Sequence, residues 1–327
     1  MPAVRVVLCS AFAPLDQLRV EDRDAAVCGP GDVRIEITAA GVNFVDALFV
    51  QGLYQVKPPL PFVPGSEFAG RVAEVGADVS AFAVGDRVFA NGGLGGYASE
   101  MVLPARRVRR TPDALTDGQA ATFAQSYMTA WFALQHRAVA RTGQWLLVLG
   151  AGGGVGLAAV DVGHALGLHV IAAASTADKR RLASERGAES VIDSSAEDVK
   201  TRARELAGGD GVDLVYDPVG GTQGEQALRA LRDDGQFLVV GFASGAIPKL
   251  PANQVLLRNR RVTGVEWGGW VLKNPGENER MLDDVIAAIE RGELRPVEPV
   301  AYALDDAETA LLDQQERRVT GKAILVP

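Results

Sequence analysis

The chain has 327 residues, of which 47% are hydrophobic and 23% charged, and its formal net charge is −8. This composition is typical of a folded protein of about two domains, and it excludes a disordered chain, a collagen-like rod and a small disulfide-stapled scaffold. The acidic balance argues against a broad nucleic-acid-binding face.

Cysteine and histidine usage excludes the usual structural zinc sites. The two cysteines, Cys9 and Cys28, and the three histidines form neither a CxxC nor an HxxxH pattern. The amino terminus has no signal-peptide core, and the longest apolar run, residues 145–160, is interrupted by five glycines. We therefore expect a cytoplasmic protein that binds neither membranes nor nucleic acids.

The first 115 residues are predicted to be rich in β-strands. A strand is expected at residues 4–8, and the alternation of Val33, Ile35 and Ile37 with polar residues predicts a half-buried strand. Glycines and prolines between residues 52 and 93 separate further short strands, which indicates a barrel-like or sandwich domain. A helix follows, capped by Thr116 or Asp117 and continuing to about His136.

From residue 145 onwards, predicted strands and helices alternate. The strands cover residues 145–149, 169–174, 190–192, 212–216 and 236–240, and the helices about 154–166, 177–186, 198–207 and 223–231. Thr222 and Glu225 predict a capping box for the last of these helices, and Gly187 a left-handed helix terminator. Such alternation predicts a parallel, doubly wound sheet. A strand at 262–265, a helix near 279–291 and a strand at 323–326 follow.

The most specific chemical signal is the glycine turn GAGGGVG at residues 150–156, between an apolar strand and an apolar helix. Glycines permit close approach of the backbone to a pyrophosphate, and the amino-terminal end of a helix attracts anions. We therefore predict that a dinucleotide binds at Gly152, Gly153, Gly154 and Val155. The alternative is a tight turn whose glycines serve packing alone.

The residues after the second strand favour NADPH over NADH. NAD-specific sites place an acidic residue about 20 residues beyond the glycines. Ser175 stands at that distance from Gly156, and Lys179 and Arg180 follow it. A hydroxyl and two bases suit a 2′-phosphate. In the alternative interpretation, Thr176 only caps the helix and the two bases are solvated.

Several motifs together resemble one family over essentially the whole chain. The stretches AGVNFVD (40–46), PFVPGSEFAG (61–70) and VGDRV (84–88) resemble the medium-chain dehydrogenase/reductases. The glycine turn, DPVGG (217–221) and VGFASG (240–245) are similar to the zinc-independent quinone oxidoreductase (zeta-crystallin-like) branch. The resemblance implies an α/β fold. A GroES-like β-rich catalytic domain would span residues 1–119, completed by 267–327, and a Rossmann NADP-binding domain with a doubly wound parallel sheet would span 120–266.

The resemblance also implies a metal-free reaction. Zinc alcohol dehydrogenases have a cysteine ligand where this chain has Asn43 and a histidine ligand where it has Ser66, and neither residue type replaces them. Residues 90–97 contain no cysteine of a structural zinc lobe. The implied activity is NADPH-dependent hydride transfer to a quinone or related conjugated carbonyl. Two alternatives are an enone or enoyl-thioester double-bond reductase and an NADPH-binding sensor or structural protein without turnover.

The site residues follow from the same resemblance. Asn43 and Tyr54 are the expected hydrogen-bond donors to the acceptor oxygen, although Asn43 as a loop residue and Tyr54 as a buried structural tyrosine are alternatives. The further cofactor contacts implied are Thr129, Val219, Phe242, Ala243, Ser244 and Lys322. Asp46 and Glu67 are expected to be structural carboxylates paired with arginines.

Two further expectations concern surfaces. Trp267 and Trp270 are predicted either to line the acceptor pocket or to anchor the domain junction. The resemblance implies a homodimer, for which residues 253–265 would offer an edge strand, unless Arg258, Arg260 and Arg261 protect that edge.

Overall fold

The computed structural model describes residues 3–327, which form two compact units. The first comprises the chain up to Gln125 together with Pro296–Pro327, and the second comprises Ser126–Arg295. The return to the first unit was predicted at residue 267, but residues 267–295 lie with the second. The reason is aromatic packing, since the Trp270 ring lies 4.8 Å from both the Phe132 and the His136 rings.

Strands are the main regular elements of the first unit, and helices account for much of the second. The strands are β1 (Ala3–Leu8), β2 (Arg19–Asp24), β3 (Asp32–Val42), β4 (Glu67–Val75), β5 (Arg87–Asn91), β6 (Glu100–Pro104), β7 (Arg109–Arg110), β8 (Trp145–Leu149), β9 (His169–Ala174), β10 (Ser190–Asp193), β11 (Val212–Asp217), β12 (Leu231–Val239), β13 (Arg261–Gly264), β14 (Val300–Ala303) and β15 (Ala323–Val326). The helices are α1 (Phe44–Val50), α2 (Asp117–Ala120), α3 (Phe123–Trp131), α4 (Gly154–Ala165), α5 (Ala177–Glu185), α6 (Val199–Leu206), α7 (Gly221–Ala230), α8 (Ala252–Leu256), α9 (Trp267–Lys273), α10 (Pro275–Glu290) and α11 (Ala307–Gln315). Short 3-10 turns cover Leu15–Gln17, Ala105–Arg107 and Leu304–Asp306, and a π-helical turn covers Phe132–Arg137.

The first unit is built on a largely antiparallel sheet in the order β14-β15-β3-β4-β5-β7, with β6 also paired to β3 and with β1 and β2 forming a separate ribbon. The alternation in β3 is confirmed, because Val33, Ile35 and Ile37 are buried in the core. β15 pairs with β3 so that Ala323 faces Val42. This register brings residues from the two ends of the chain together.

The second unit contains a parallel sheet in the order β10-β9-β8-β11-β12-β13. The predicted doubly wound sheet is therefore confirmed, and the strands predicted at 145–149 and 169–174 are found with those bounds. The strand order reverses between β8 and β11, and ligands of such sheets bind at the carboxyl ends of the strands on either side of that reversal. The predicted terminator Gly187 has a φ of 102°, in the left-handed region.

Two local predictions were wrong. The helix predicted to continue to His136 is interrupted after Ala120, although Thr116 does cap its first part by accepting from the Gln119 amide. The helix α7 begins before Thr222, so the predicted capping box is not formed, and Glu225 instead accepts from the Lys249 amide. The edge strand predicted within 253–265 is found as β13, while α8 occupies the start of that segment.

The described part of the chain, residues 3–327, contains no helix that combines the length and the apolar character needed to cross a membrane.

Candidate active site

The glycine turn after β8 is shaped by close approach of the backbone. A Cβ at Gly152 would lie 2.4 Å from Cβ of Lys179, and a Cβ at Gly156 would lie 2.3 Å from the Gly150 carbonyl oxygen. Gly150 itself has a φ of 59°. These three positions therefore require glycine for steric reasons.

The turn leads directly into the amino-terminal end of α4, and Gly153 is the N-cap residue of that helix. The amides of Gly154 and Val155 belong to the first turn, where no intrahelical carbonyl is within reach. Free amides and the positive end of the helix dipole form an anion-binding end. The residues predicted to hold a pyrophosphate thus lie together at the carboxyl edge of the sheet.

The end of β9 carries the residues predicted to select the cofactor. Lys179 is only 8% exposed, and its aliphatic stem lies over Gly152. Thr176 caps α5 by accepting from the Lys179 amide at 3.4 Å. The interpretation in which Thr176 is a cap is therefore confirmed, but a solvated Lys179 is not. Ser175 is exposed at the end of this strand.

The neighbouring base, Arg180, is held by protein groups. Its guanidinium lies 2.9 Å from Asp193 and donates to the Ala174 carbonyl at 3.2 Å. Ser195 donates to the same aspartate at 2.5 Å and to the Ser175 carbonyl at 3.3 Å. Asp193 and Ser195 have no recognisable signal in the sequence, because only the pairing of β9 with β10 places them near Ser175.

The loop after β11 is fixed by a buried carboxylate. Asp217 accepts from the backbone amides of Val219 and Gly220, both at 2.8 Å. Burial raises the pKa of this aspartate, and the two amide hydrogen bonds oppose that rise. A Cβ at Gly150 would lie 2.8 Å from Cγ2 of Val219, so this loop lies against the glycine turn.

The loop after β12 is hydrogen-bonded to that same loop. The Ala243 amide donates to the Pro218 carbonyl at 3.0 Å, and the Ser244 amide donates to the Val219 carbonyl at 2.9 Å. Phe242, which immediately precedes these two residues, is exposed. The structure thus brings Val219, Ala243 and Ser244 together, while Thr129 lies half-buried on α3 and its role stays a prediction.

In the first unit, five polar side chains form what we call the buried polar cluster: Asn43, Asp46, Glu67, Tyr97 and Lys322. They come from the loop after β3, from α1, from the start of β4, from the turn before β6 and from the residue before β15. The pairing of β15 with β3 and of β3 with β4 places Lys322, Asn43 and Glu67 side by side.

Three members of the cluster are mutually hydrogen-bonded. Nζ of Lys322 donates to Oδ1 of Asn43 at 2.6 Å and to Oε1 of Glu67 at 3.1 Å, and Nδ2 of Asn43 donates to the same Glu67 oxygen at 2.9 Å. The second Glu67 oxygen accepts from the Gln125 amide at 2.9 Å. The expected arginine partner of Glu67 was wrong, because the base is Lys322. Asn43 is thus part of a side-chain network and is more than a loop residue that satisfies backbone groups.

Asp46 is the most perturbed acid of the cluster. Its Oδ2 accepts from the Asn43 amide at 2.9 Å and from the Tyr97 hydroxyl at 3.0 Å, where an arginine partner had been expected. Complete burial raises the pKa of Asp46 to about 7, and nearby Glu67 adds to the rise. The same burial raises the pKa of Tyr97 well above its usual range. Tyr97 was missed because only its place in the fold distinguishes it from other tyrosines.

Tyr54 follows α1 and is half-buried, with its ring 4.7 Å from the ring of Phe49. It is therefore not a fully buried core tyrosine. Its predicted role as a donor to the acceptor stays a prediction.

The donor set of this region does not suit zinc. The Asn43 oxygen is taken by an ammonium group, and Ser66 offers only a hydroxyl. Across residues 3–327, no three His, Cys, Asp or Glu side chains are grouped so that they could hold a metal ion.

Comparisons with known proteins cover both units. Residues 29–113 match the alcohol dehydrogenase GroES-like domain family, and residues 154–286 match the zinc-binding dehydrogenase family. Quinone oxidoreductase-like protein 2 of Bos taurus is 37% identical over 98% of this chain and 92% of its own length. The quinone oxidoreductase of Pseudomonas aeruginosa is 35% identical over 97% of this chain and 98% of its own length.

Solved structures agree with these matches. The quinone oxidoreductase of Escherichia coli, determined as a complex with NADPH, has a TM-score of 0.87 and 29% identity, and the match covers 99% of this chain and all of that chain. A mycobacterial protein complexed with NADPH has a TM-score of 0.89 and 31% identity, with the same coverage. Fold, glycine turn and family matches together define an oxidoreductase of the medium-chain dehydrogenase/reductase superfamily. Within it, the chain belongs to the quinone oxidoreductase-like family.

The burial of Asp46 predicts a pH-dependent stability that an Asp46→Asn variant lacks. Because the carboxyl has a pKa of about 7 when folded and a model-peptide value of 3.8, its contribution to stability is complete below pH 4 and is lost as the pH rises to 7. Relative to the variant, wild type should lose on the order of 4 kcal/mol between pH 4 and pH 8. Urea denaturation at a series of pH values measures this difference.

The matched control is Asp178→Asn, which removes a carboxylate that is 80% exposed. A free-energy difference between wild type and Asp46→Asn that is the same at pH 4.5 and pH 8 would contradict the assignment.

Proposed function

We propose that this protein reduces quinones or related conjugated carbonyls with NADPH, by hydride transfer that requires no metal. The observation that carries the proposal is the mutual hydrogen bonding of Asn43, Glu67 and Lys322, in which the amide at the position of a cysteine ligand of zinc alcohol dehydrogenases is occupied by an ammonium group. Without a Lewis acid to ionise an alcohol, reduction of an electron-poor acceptor is the favoured reaction.

The residues of the second unit fit a phosphorylated dinucleotide. A side chain at Gly152 or Gly156 would fill the turn, and the amides at the start of α4 are suited to a pyrophosphate. We propose that Ser175 and Lys179 recognise the 2′-phosphate, while Arg180 is held by Asp193. The NADPH complexes of two solved relatives support this choice.

Removing Lys179 should weaken NADPH binding selectively. A charge-assisted hydrogen bond contributes about 1.5–3 kcal/mol, so Lys179→Ala should raise the KM for NADPH by roughly 10- to 100-fold. The KM for NADH should change little, because NADH has no 2′-phosphate. Steady-state kinetics with both cofactors measure the effect.

Arg181→Ala is the matched control, since Arg181 lies on the same helix but is exposed and paired with Glu185. An equal rise in the KM for NADH after the Lys179 substitution would count against the assignment.

NADPH, when bound, supplies the hydride. Negative charge then develops on the carbonyl oxygen of the acceptor, and donors aimed at that oxygen lower the barrier. We propose that Asn43 donates from the second hydrogen of its Nδ2 and that the Tyr54 phenol donates or stacks on the flat acceptor ring. The protein side chains therefore orient the acceptor and stabilise charge, while the hydride chemistry is the cofactor's.

A panel of quinones and enals tests the activity. We expect NADPH oxidation with quinones, unchanged by a chelator, and quinol as the product. Asn43→Ala should lower kcat by roughly 100-fold, the usual effect of removing one such donor, with little change in the NADPH Kd.

Product analysis decides between the alternatives. A saturated carbon–carbon bond as the main product would favour the double-bond reductase. Tight NADPH binding without turnover of any acceptor would favour a sensor or structural protein.

We also propose that the protein is a homodimer formed through the edge of the parallel sheet. β13 is the outer strand, and next to it Leu256 and Leu257 are 76% and 74% exposed, while Val262 on the strand is 42% exposed. Arg260, one of the arginines expected to protect this edge, is instead buried. Unpaired backbone groups with apolar neighbours favour strand pairing between copies.

Both cysteines are free thiols, which supports a reducing, cytoplasmic compartment.

Charged substitutions at this edge of the sheet should convert the proposed dimer into a monomer. A Leu256→Glu/Val262→Lys variant would place two desolvated charges in the interface, so light scattering should show half the mass of wild type. Leu272→Lys is the control, because Leu272 is 85% exposed on α9, outside β13 and α8. An unchanged mass for the double variant would exclude this interface.

A further inference from the structure

We propose that Lys322 is a positioning residue that orients and polarises the Asn43 amide for the acceptor oxygen. This inference rests on the proposed function, since it assigns how the donor in that reaction is prepared. Lys322 had been expected to contact the cofactor, whereas its hydrogen bonds described above go to Asn43 and Glu67.

The geometry fixes the orientation of the amide. Each of Asn43, Glu67 and Lys322 is hydrogen-bonded to the other two. An ammonium has no acceptor and an ionised carboxylate has no donor. Rotating the amide by 180° would set NH₂ against the ammonium and the carbonyl against the carboxylate, and both contacts would be repulsive. Only one orientation of Asn43 is therefore compatible with its neighbours.

The charge also changes the strength of the donor. A 2.6 Å hydrogen bond from the Lys322 ammonium draws electron density towards Oδ1 and away from Nδ2 of Asn43. One Nδ2 hydrogen goes to the Glu67 carboxylate, which returns electron density to the nitrogen, and the ammonium on Oδ1 counteracts this effect so that the other hydrogen keeps its strength as a donor. Because Lys322 is only 5% exposed, water screens its charge weakly, and the ammonium offsets the repulsion that the Glu67 carboxylate would exert on a developing oxyanion at Nδ2.

The desolvation cost of burying Lys322 and Glu67 indicates that this ion pair has a role besides stabilising the fold. Lys322 and Glu67 are both buried, and burying an ion pair costs desolvation energy that hydrophobic residues of similar size avoid. Glu67 balances the ammonium, and the Gln125 amide satisfies its other oxygen. The arrangement keeps the ammonium on Oδ1 of Asn43 and so holds the amide with its second Nδ2 hydrogen available to the transition state.

Four variants separate positioning from structural support. Lys322→Met removes the charge but leaves Glu67 unpaired, whereas Lys322→Met/Glu67→Gln removes both charges and so avoids an orphaned carboxylate. Lys322→Arg keeps the charge and should remain folded if the others do not. Arg318→Met is the matched control, because Arg318 is exposed and its ion pair with Asp313 lies in the same carboxyl-terminal segment.

We expect the double variant to keep the Tm of wild type. Its NADPH Kd, measured by fluorescence titration without acceptor, should stay within about threefold of the wild-type value. Its kcat with 1,4-naphthoquinone should fall by roughly 10- to 100-fold, as for removal of a transition-state donor, while Lys322→Arg should recover most of that loss. Arg318→Met should match wild type. Recovery of kcat in the double variant would show a purely structural role, and a tenfold rise in its NADPH Kd would show direct cofactor contact. Either result overturns the proposal.

A readout independent of turnover distinguishes failure of this inference from failure of the proposed function. In protein labelled with ¹⁵N-asparagine, the Asn43 side-chain signal is assigned by its loss in Asn43→Ala. We expect slow hydrogen exchange and a shifted Nδ2 resonance in wild type and in Lys322→Arg, both lost in the double variant. If wild type reduces no acceptor, the proposed function fails, and an unchanged Asn43 signal in the double variant overturns the positioning role by itself.

Discussion

The ammonium group of Lys322 is buried in the first unit, and a buried charge is stable only when it is paired and hydrogen-bonded. Its partners, Asn43 and Glu67, lie at the ends of two neighbouring strands, so the pairing of β15 with β3 and of β3 with β4 must hold for the charge to be satisfied. One electrostatic requirement therefore ties the carboxyl-terminal strand to the loop that carries the proposed donor. It also gives this protein an internal cation beside that donor.

The second unit depends on a different constraint, the close approach of backbone segments at the carboxyl edge of a parallel sheet. The stem of Lys179 occupies the space that a side chain at Gly152 would need, and Val219 does the same beside Gly150. The loops after β8, β9 and β11 therefore meet around the first turn of α4. Asp217 holds one of them in place with two backbone hydrogen bonds. A rigid cradle of this kind needs no charged ligand-binding residue to attract a pyrophosphate, since the helix amides suffice.

The elements of the second unit were predictable because each has a strong local signal. Continuous apolar strands, helix periodicity and a glycine such as Gly187 depend on neighbours only a few residues away. Failures arose where tertiary packing outweighed local preference. The chain starts α7 at Gly221, ahead of the cap expected at Thr222, and the ring of Trp270 keeps residues 267–295 with the second unit. Neither packing arrangement has a signature in a short sequence window.

The fold class, the glycine turn and the presence of Asn43 and Ser66, neither of which is a usual zinc ligand, could be read from the sequence, because they depend on residue identity and local spacing. The base that pairs with Glu67 could not be read in the same way, since Lys322 is 255 residues away along the chain and strand register brings the two together. The same holds for the raised pKa of Asp46, which follows from complete burial. Burial and long-range pairing are properties of the packed chain, so no local pattern encodes them.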